Sequence, residues 1–309
     1  MGRIQLGLRE LKSGMNNASA TSPVSTGGSG TFFEQHVDAL FLALLLVRAP
    51  LPILKDCQVE EVHLQVEHLG WETDDVLVVA MKPDGVRRRL AVQVKRQFTI
   101  SEKDETCRKA FSDFWADFKS PEFDPATDRF ALATLRGTNA LLGSFNSLLD
   151  CARASTDARD FMQRVQMDGF LSKTARGYAT TIRRMLEEAD EAPTDEQFWK
   201  FLSLLHVVSF DLNTASAQNE IWIKTLLAAT ANEGDPSAAA ESTWRELLEL
   251  VGTGMPGAAS YRYDDLPENI RNRHGPIDIR SAGIVRALSE HSSVTLDGIK
   301  TTIGATAEI

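Results

Sequence analysis

The chain has 309 residues, 43% of them hydrophobic and 25% charged, and a formal net charge of −10. These values indicate a soluble globular protein with room for two ordinary domains, and they exclude a generally basic nucleic-acid coat. Residues 1–120 hold 15 Lys and Arg against 16 Asp and Glu, so a local basic patch there is compatible with the acidic total. The three cysteines lack metal-ligand spacing, and no signal peptide or membrane-length apolar run is present, so a cytoplasmic protein without a membrane partner is expected.

The first half of the sequence predicts a short α/β unit. Residues 1–30 are expected to be a flexible leader, because residues 12–30 are rich in Gly, Ser, Asn and Thr. Hydrophobic periodicity and turn signals then predict, in chain order, a helix at 31–48, strands at 59–69, 74–82 and 87–95, a helix at 106–118 and a strand at 128–135.

The second half shows a different pattern. From Thr138 onward, apolar residues recur at steps of three and four, as in "TDEQFWKFLSLLHVV", which is typical of helices. We therefore predict an α-β-β-β-α-β core at 31–136, followed by an all-helical domain at 137–309.

One strand carries polar side chains that a buried core does not explain. In "LAVQVKRQFTI" (90–100), Gln93 and Lys95 share one face, because residues i and i+2 of a strand point to the same side. The turn "PDG" (83–85) predicts that this strand pairs antiparallel with the one before it. Asp74 and Asp75 should therefore lie near Gln93 and Lys95, with Asp75 the better candidate for a metal ligand. A carboxylate, an amide and a lysine at one sheet edge are compatible with a hydrolytic site that binds a hard divalent cation.

These residues resemble the PD-(D/E)xK nuclease superfamily, in the variant with glutamine in the acidic slot that Mrr-like restriction enzymes have. The region 30–135, with "GTFFEQ", "TDDVLVV" and "AVQVKRQ", is similar to the double-strand DNA endonuclease domain of bacterial antiphage effectors. The stretch up to about residue 230 resembles the region that lies after this nuclease in AVAST-type STAND NTPases. The resemblance implies a restriction-endonuclease-like core at 31–136 and a helical connector at 137–309.

The same resemblance implies roles for particular residues. Glu34 and Asp75 would bind the metal, Mg²⁺ or Mn²⁺, with Gln93 in the third ligand position, and Lys95 would be catalytic. The expected activity is metal-dependent cleavage of double-stranded DNA with little sequence preference, as an antiphage effector that acts as a homo-oligomer. The motif GxxxxGK[ST] is absent from the sequence, so an ATPase or sensor module would have to be fused to this chain or encoded downstream.

Each of these residues also has a simpler interpretation. Glu34 comes three residues after Thr31, as in a capping box that satisfies the helix end. Lys95 could form a structural ion pair with Asp74 or Asp75. Four arginines could contact a DNA backbone or merely flank the turn and strand in solvent: Arg87, Arg88, Arg89 and Arg96.

These simpler interpretations lead to two alternative functions. One is a degenerate nuclease fold that serves as a DNA-binding or oligomerisation module, and the other is a nuclease that cuts RNA. The presence of Glu34, Asp75 and Lys95 together favours an enzyme, because a module that only binds does not need all three.

Overall fold

A mixed six-stranded sheet lies at the centre of the protein. The computed structural model describes residues 28–277, apart from 52, 55, 136, 137, 139, 213–216 and 233. The strands are β1 (Gln58–Leu64), β2 (Val76–Met81), β3 (Arg87–Lys95), β4 (Arg129–Thr134), β5 (Leu205–Ser209) and β6 (Ser260–Arg262). Their order in the sheet is β5-β4-β3-β2-β1-β6. The β3–β4 and β4–β5 pairs are parallel and the other pairs are antiparallel, so the protein belongs to the α/β class.

Helices cover both faces of the sheet. They are α1 (Gly28–Leu46), α2 (Glu105–Lys119), α3 (Asn146–Ala154), α4 (Ala158–Gln166), α5 (Lys173–Ala189), α6 (Asp195–Leu204), α7 (Gln218–Ala229), α8 (Pro236–Gly254) and α9 (Glu268–Arg271). Apolar residues of α1, α7 and α8 form one core with the first face of the sheet. Residues of α2 to α6 form a second core with the other face.

Strand β3 contributes to both cores because its side chains alternate between the two faces. Val92 and Val94 belong to the core under α1, whereas Ala91 belongs to the core under α2. This alternation is the one predicted from the sequence. It places Gln93 and Lys95 on the α2 side, in line with Ala91.

The first half of the chain has the predicted order of elements, α-β-β-β-α-β, and the bounds of β3 are those predicted. Two predicted bounds differ from the structure by three residues or more, and the other bounds of these elements agree within two residues. Helix α1 begins at Gly28 rather than Thr31, so the last three residues of the predicted leader are helical, while 1–27 lie outside the described residues. Strand β1 ends at Leu64, because Gln65 adopts a left-handed backbone conformation and Val66–Leu69 forms a 3-10 helix.

The prediction that everything after Thr138 is helical is wrong at two places. β5 begins directly after α6 and adds a parallel strand beside β4. β6 pairs with β1 at the opposite edge of the sheet. The region predicted as an all-helical connector therefore supplies both edge strands of the central sheet; residues 278–309 of it lie outside the described part.

Candidate active site

The start of β2 and the end of β3 meet at one edge of the sheet. In the antiparallel β2–β3 pair, Val76 is opposite Val92, so Asp75, directly before β2, lies beside the end of β3. The structure thus brings Asp75 together with Gln93 and Lys95, as the short turn between the strands predicted.

Three donors converge on one oxygen of Asp75. Its Oδ2 accepts hydrogen bonds from the Gln93 side-chain amide, from the Val94 backbone N–H at 2.5 Å and from Lys95 Nζ at 3.2 Å. Asp75 is 8% exposed and Gln93 1%, whereas the Lys95 side chain is 28% exposed. Burial raises the pKa of Asp75, and the ammonium of Lys95 and the Val94 N–H oppose this rise. The lysine therefore lies between a buried carboxylate and solvent.

Glu34 approaches the same edge from the other side of the sheet. Helix α1 packs on the face that carries Val92 and Val94, opposite to Gln93 and Lys95. Near the start of this helix, Glu34 Oε1 accepts a hydrogen bond from Gln65 Nε2 at 2.6 Å, just beyond the end of β1. Because α1 begins three residues before Thr31, Thr31 is not the N-cap, and the capping-box interpretation of Glu34 is wrong.

The ionisation of Glu34 depends on the other site residues. Burial and the negative charge of Asp75 raise the pKa of Glu34 to about 7, while Lys95 and the hydrogen bond from Gln65 lower it. Such coupling requires that Glu34 lies within electrostatic reach of both Asp75 and Lys95. The expectation that a bound metal would hold the Glu34 and Asp75 oxygens roughly 4–6 Å apart stays a prediction.

A further carboxyl group, Asp38, lies one helical turn after Glu34. It is completely buried, and neither of its oxygens has a hydrogen-bond partner in the described part of the chain. Burial, and to a lesser extent the charges of Glu34 and Asp75, raises the pKa of Asp38 well above its usual value. Asp38 was not among the residues predicted from the sequence, although an acid within the apolar run "VDALFLALLLV" was a usable signal.

The structure separates most of the candidate DNA contacts from this site. Arg87, Arg88 and Arg89 begin β3, six or more residues before Lys95, which at about 3.3 Å per residue is roughly 20 Å away. Arg89 is bound to the buried Asp128, with 2.6 Å between Nη2 and Oδ2. Arg96 alone of the four comes directly after Lys95, and its Nε is buried without a partner among the described residues.

The oxygen ligands at this edge fit a hard divalent cation. Glu34, Asp75 and the Gln93 amide supply oxygen donors of the type that Mg²⁺ and Mn²⁺ prefer. A cation would also offset the burial and mutual repulsion that raise the pKa values of Glu34 and Asp75. Within residues 28–277, excluding the gaps, no three His, Cys, Asp or Glu side chains are grouped closely enough to hold a metal by themselves. A cation here would thus bind through two carboxylates, with the amide and water completing its shell.

The resemblance drawn from the motifs has no support from wider similarity. None of the helices in the described ranges is long and apolar enough to cross a membrane. No protein-family model, curated protein sequence or solved structure matches the chain.

Proposed function

We propose that this protein is a metal-dependent phosphodiesterase that cuts double-stranded DNA. The observation that carries the proposal is the convergence of Asp75, Gln93 and Lys95 at one sheet edge, with Glu34 electrostatically coupled to Asp75 and Lys95. These four residues come from three elements separated in sequence. A purely structural ion pair between Lys95 and Asp75 would not need a second buried carboxylate beside it.

The proposed roles derive from the chemistry of each side chain. Glu34, Asp75 and the Gln93 amide would hold Mg²⁺ or Mn²⁺, which supplies Lewis-acid polarisation of a phosphoryl oxygen and acidification of water when bound. Lys95, whose side chain is 28% exposed, would face the scissile phosphate, orient the attacking water and stabilise the negative charge that develops. Arg96, next to Lys95 in the chain, would contact the DNA backbone near the cut.

The wider context is part of the same proposal. The motifs that resemble antiphage nucleases support an effector that cuts DNA with little sequence preference and acts as a homo-oligomer, because one such site cuts one strand. A separate or fused ATPase module would control it. RNA cleavage is the competing activity, and a comparison of DNA and RNA substrates of equal sequence decides between them.

A specific observation favours a binding module instead. All three donors at Asp75 converge on Oδ2, so that oxygen is already engaged within the protein. Under this alternative, the site residues stabilise the sheet edge and the protein binds DNA without cutting it. The two functions predict different effects of removing Lys95: loss of cleavage for the nuclease, and loss of stability for the binding module.

The test is plasmid cleavage by the full chain. Supercoiled plasmid is incubated with protein and Mg²⁺ or Mn²⁺, with and without excess EDTA. The nuclease predicts nicked or linear products that chelation abolishes. Cleavage that continues in EDTA contradicts the metal mechanism, and DNA binding without cleavage under any metal supports the binding module.

A matched pair of lysine variants completes the design. Lys82 also pairs with an aspartate, Asp84, at 3.5 Å, but it lies at the far end of β2. Lys95→Ala should abolish cleavage while Lys82→Ala leaves it unchanged. Equal activity of the two variants would place the chemistry elsewhere.

A further inference from the structure

Gln65 connects the two candidate carboxylate ligands. Its side-chain Nε2 donates to Glu34 Oε1 at 2.6 Å, and its backbone N–H donates to the carbonyl oxygen of Asp75 at 2.9 Å. Glu34 is on α1 and Asp75 precedes β2, so these ligands belong to separate elements of the fold. A single residue at the end of β1 thus fixes both, one through its side chain and one through its backbone.

The backbone of Gln65 is in an unfavourable conformation. Its φ of 50° and ψ of 66° are left-handed, a region that costs a residue with a Cβ roughly 1–2 kcal/mol and that glycine adopts freely. The turn after β1 would therefore form more easily with glycine. Strained positions of this kind are concentrated at functional sites, where the side chain is needed. The hydrogen bond to Glu34 is what glycine would lose.

The contact also has the right chemistry for positioning a ligand. An amide N–H donates to a carboxylate oxygen, and here Gln65 Nε2 does so to Glu34 Oε1. The bond engages Oε1 and fixes the orientation of the carboxylate. Residues that orient ligands in this way typically contribute about 10- to 100-fold to metal affinity.

We propose that Gln65 is a positioning residue of a divalent-cation site. It holds the Glu34 carboxylate in the orientation that binds Mg²⁺ or Mn²⁺, and it links Glu34 to Asp75 at the start of β2. The inference rests on the proposed metal-dependent function. It assigns Gln65 no contact with the substrate or the cation, and its effect passes through Glu34.

The test measures Mn²⁺ binding rather than cleavage. Calorimetry or the electron paramagnetic resonance of free Mn²⁺ gives the affinity of the wild type and of Gln65→Gly. Glycine suits the left-handed backbone, so the metal-free variant should stay folded, with a melting temperature close to that of the wild type. The expected result is a Mn²⁺ affinity weaker by about 10-fold.

The matched control is Ala258→Gly. Ala258 also has a φ of 50°, on the loop before β6, and it has no side-chain donor. This variant should reproduce the effect of glycine on stability and leave Mn²⁺ affinity unchanged. If Ala258→Gly weakens Mn²⁺ binding as much as Gln65→Gly does, general loosening explains the loss and the inference is overturned.

A double variant tests whether Gln65 acts through Glu34. In a Glu34→Gln background, Gln65→Gly should cause little further loss of Mn²⁺ affinity, because the group that it positions is already gone. Fully additive losses overturn the inference. Unchanged Mn²⁺ binding by Gln65→Gly overturns it while leaving the metal-dependent function in place, whereas a wild type that binds no Mn²⁺ overturns both.

Discussion

The two ends of β3 carry two ion pairs built on the same face but with different surroundings. At the start of the strand, Arg89 binds Asp128, and at its end Lys95 binds Asp75. In both pairs the carboxylate is buried and the cation is partly exposed, with 29% of the Arg89 side chain and 28% of the Lys95 side chain accessible.

The arginine end is electrostatically complete. Asp128 accepts hydrogen bonds from the Arg89 side chain, the Arg89 backbone N–H and the Asp124 backbone N–H, and both of its oxygens are used. The guanidinium also binds the carbonyl oxygen of Glu122 and lies over the ring of Trp71. Every group has its partner, as expected of an ion pair that stabilises the fold.

The lysine end has an excess of carboxyl groups. Asp75, Glu34 and Asp38 interact with one another there, and all three have raised pKa values, primarily because they are buried. One lysine does not neutralise three ionised carboxyl groups, so the carboxyl groups at this end either keep protons or repel one another. The imbalance of charge, rather than the presence of an ion pair, therefore distinguishes the candidate site from the arginine end.

The largest expected effect is the loss of stability on removal of the arginine. Arg89→Ala leaves the Asp128 carboxylate buried without its cation, so the free energy of unfolding should fall by about 3–5 kcal/mol. Urea denaturation at pH 7 measures it. The fraction of Arg89→Ala that stays folded should cleave DNA normally. If Arg89→Ala lowers the free energy of unfolding by less than Lys95→Ala does, the distinction between the two ends is removed.

The opposite outcome is expected for the lysine. Lys95→Ala should reduce plasmid cleavage at least about 100-fold, equivalent to about 2.7 kcal/mol in the barrier, because in the proposed mechanism it removes the charge that would stabilise the transition state. Its unfolding free energy should change less than that of Arg89→Ala, since the buried Asp75 can take up a proton. A variant that cleaves DNA like the wild type would make Lys95 a structural residue.

Of the two ion pairs behind these predictions, one could be predicted from the sequence and the other could not. The Asp75–Gln93–Lys95 arrangement was predictable, because the three-residue turn at 83–85 fixes the antiparallel register locally. The ion pair of Arg89 was not, because Asp128 directly precedes β4, which lies beside β3 only after a helical crossover. The three arginines therefore looked like neighbours of Lys95 in sequence, whereas an extended strand separates them in space.

Two strands and one backbone conformation had weak signals in the sequence or none. β5 was missed because "LSLLHVVS" continues the apolar pattern of α6 with no Gly or Pro between them. β6 has only three residues, too few for a period-two pattern. The left-handed conformation of Gln65 had no sequence signal at all, because glutamine is not a residue that favours it.

A third prediction uses pH to expose the charge imbalance at the lysine end. The pKa of Glu34 is about 7 in the folded protein against 4.5 ordinarily, so the folded state binds more protons between these values. The stability of the metal-free protein should therefore fall as the pH rises through this window. Glu34→Gln removes the effect, and relative to the wild type it should gain up to about 2 kcal/mol between about pH 4.5 and about pH 8, after allowance for solvent screening.

The measurement is urea denaturation in EDTA at several pH values, with both proteins under the same conditions. Saturating Mg²⁺ should flatten the pH dependence of the wild type and leave that of Glu34→Gln unchanged. Parallel curves for the two proteins in EDTA would show that Glu34 titrates normally and that the lysine end is balanced.

The smallest expected effect has the opposite sign for stability and for cation binding. Asp38 is buried without a hydrogen-bond partner in the described ranges, and leucine has the same branching, so Asp38→Leu should stabilise the metal-free protein by about 1 kcal/mol. The gain should grow with pH, because the raised pKa of Asp38 means that ionising it in the folded state costs stability.

If the carboxyl group adds negative potential to the site, the same variant should bind Mn²⁺ more weakly. Ala43→Leu, at a fully buried position further along α1, controls for overpacking of the same helix. An Asp38→Leu protein that is less stable than the wild type at pH 8 would mean that the carboxyl group has a stabilising partner and that the lysine end carries fewer unbalanced acids.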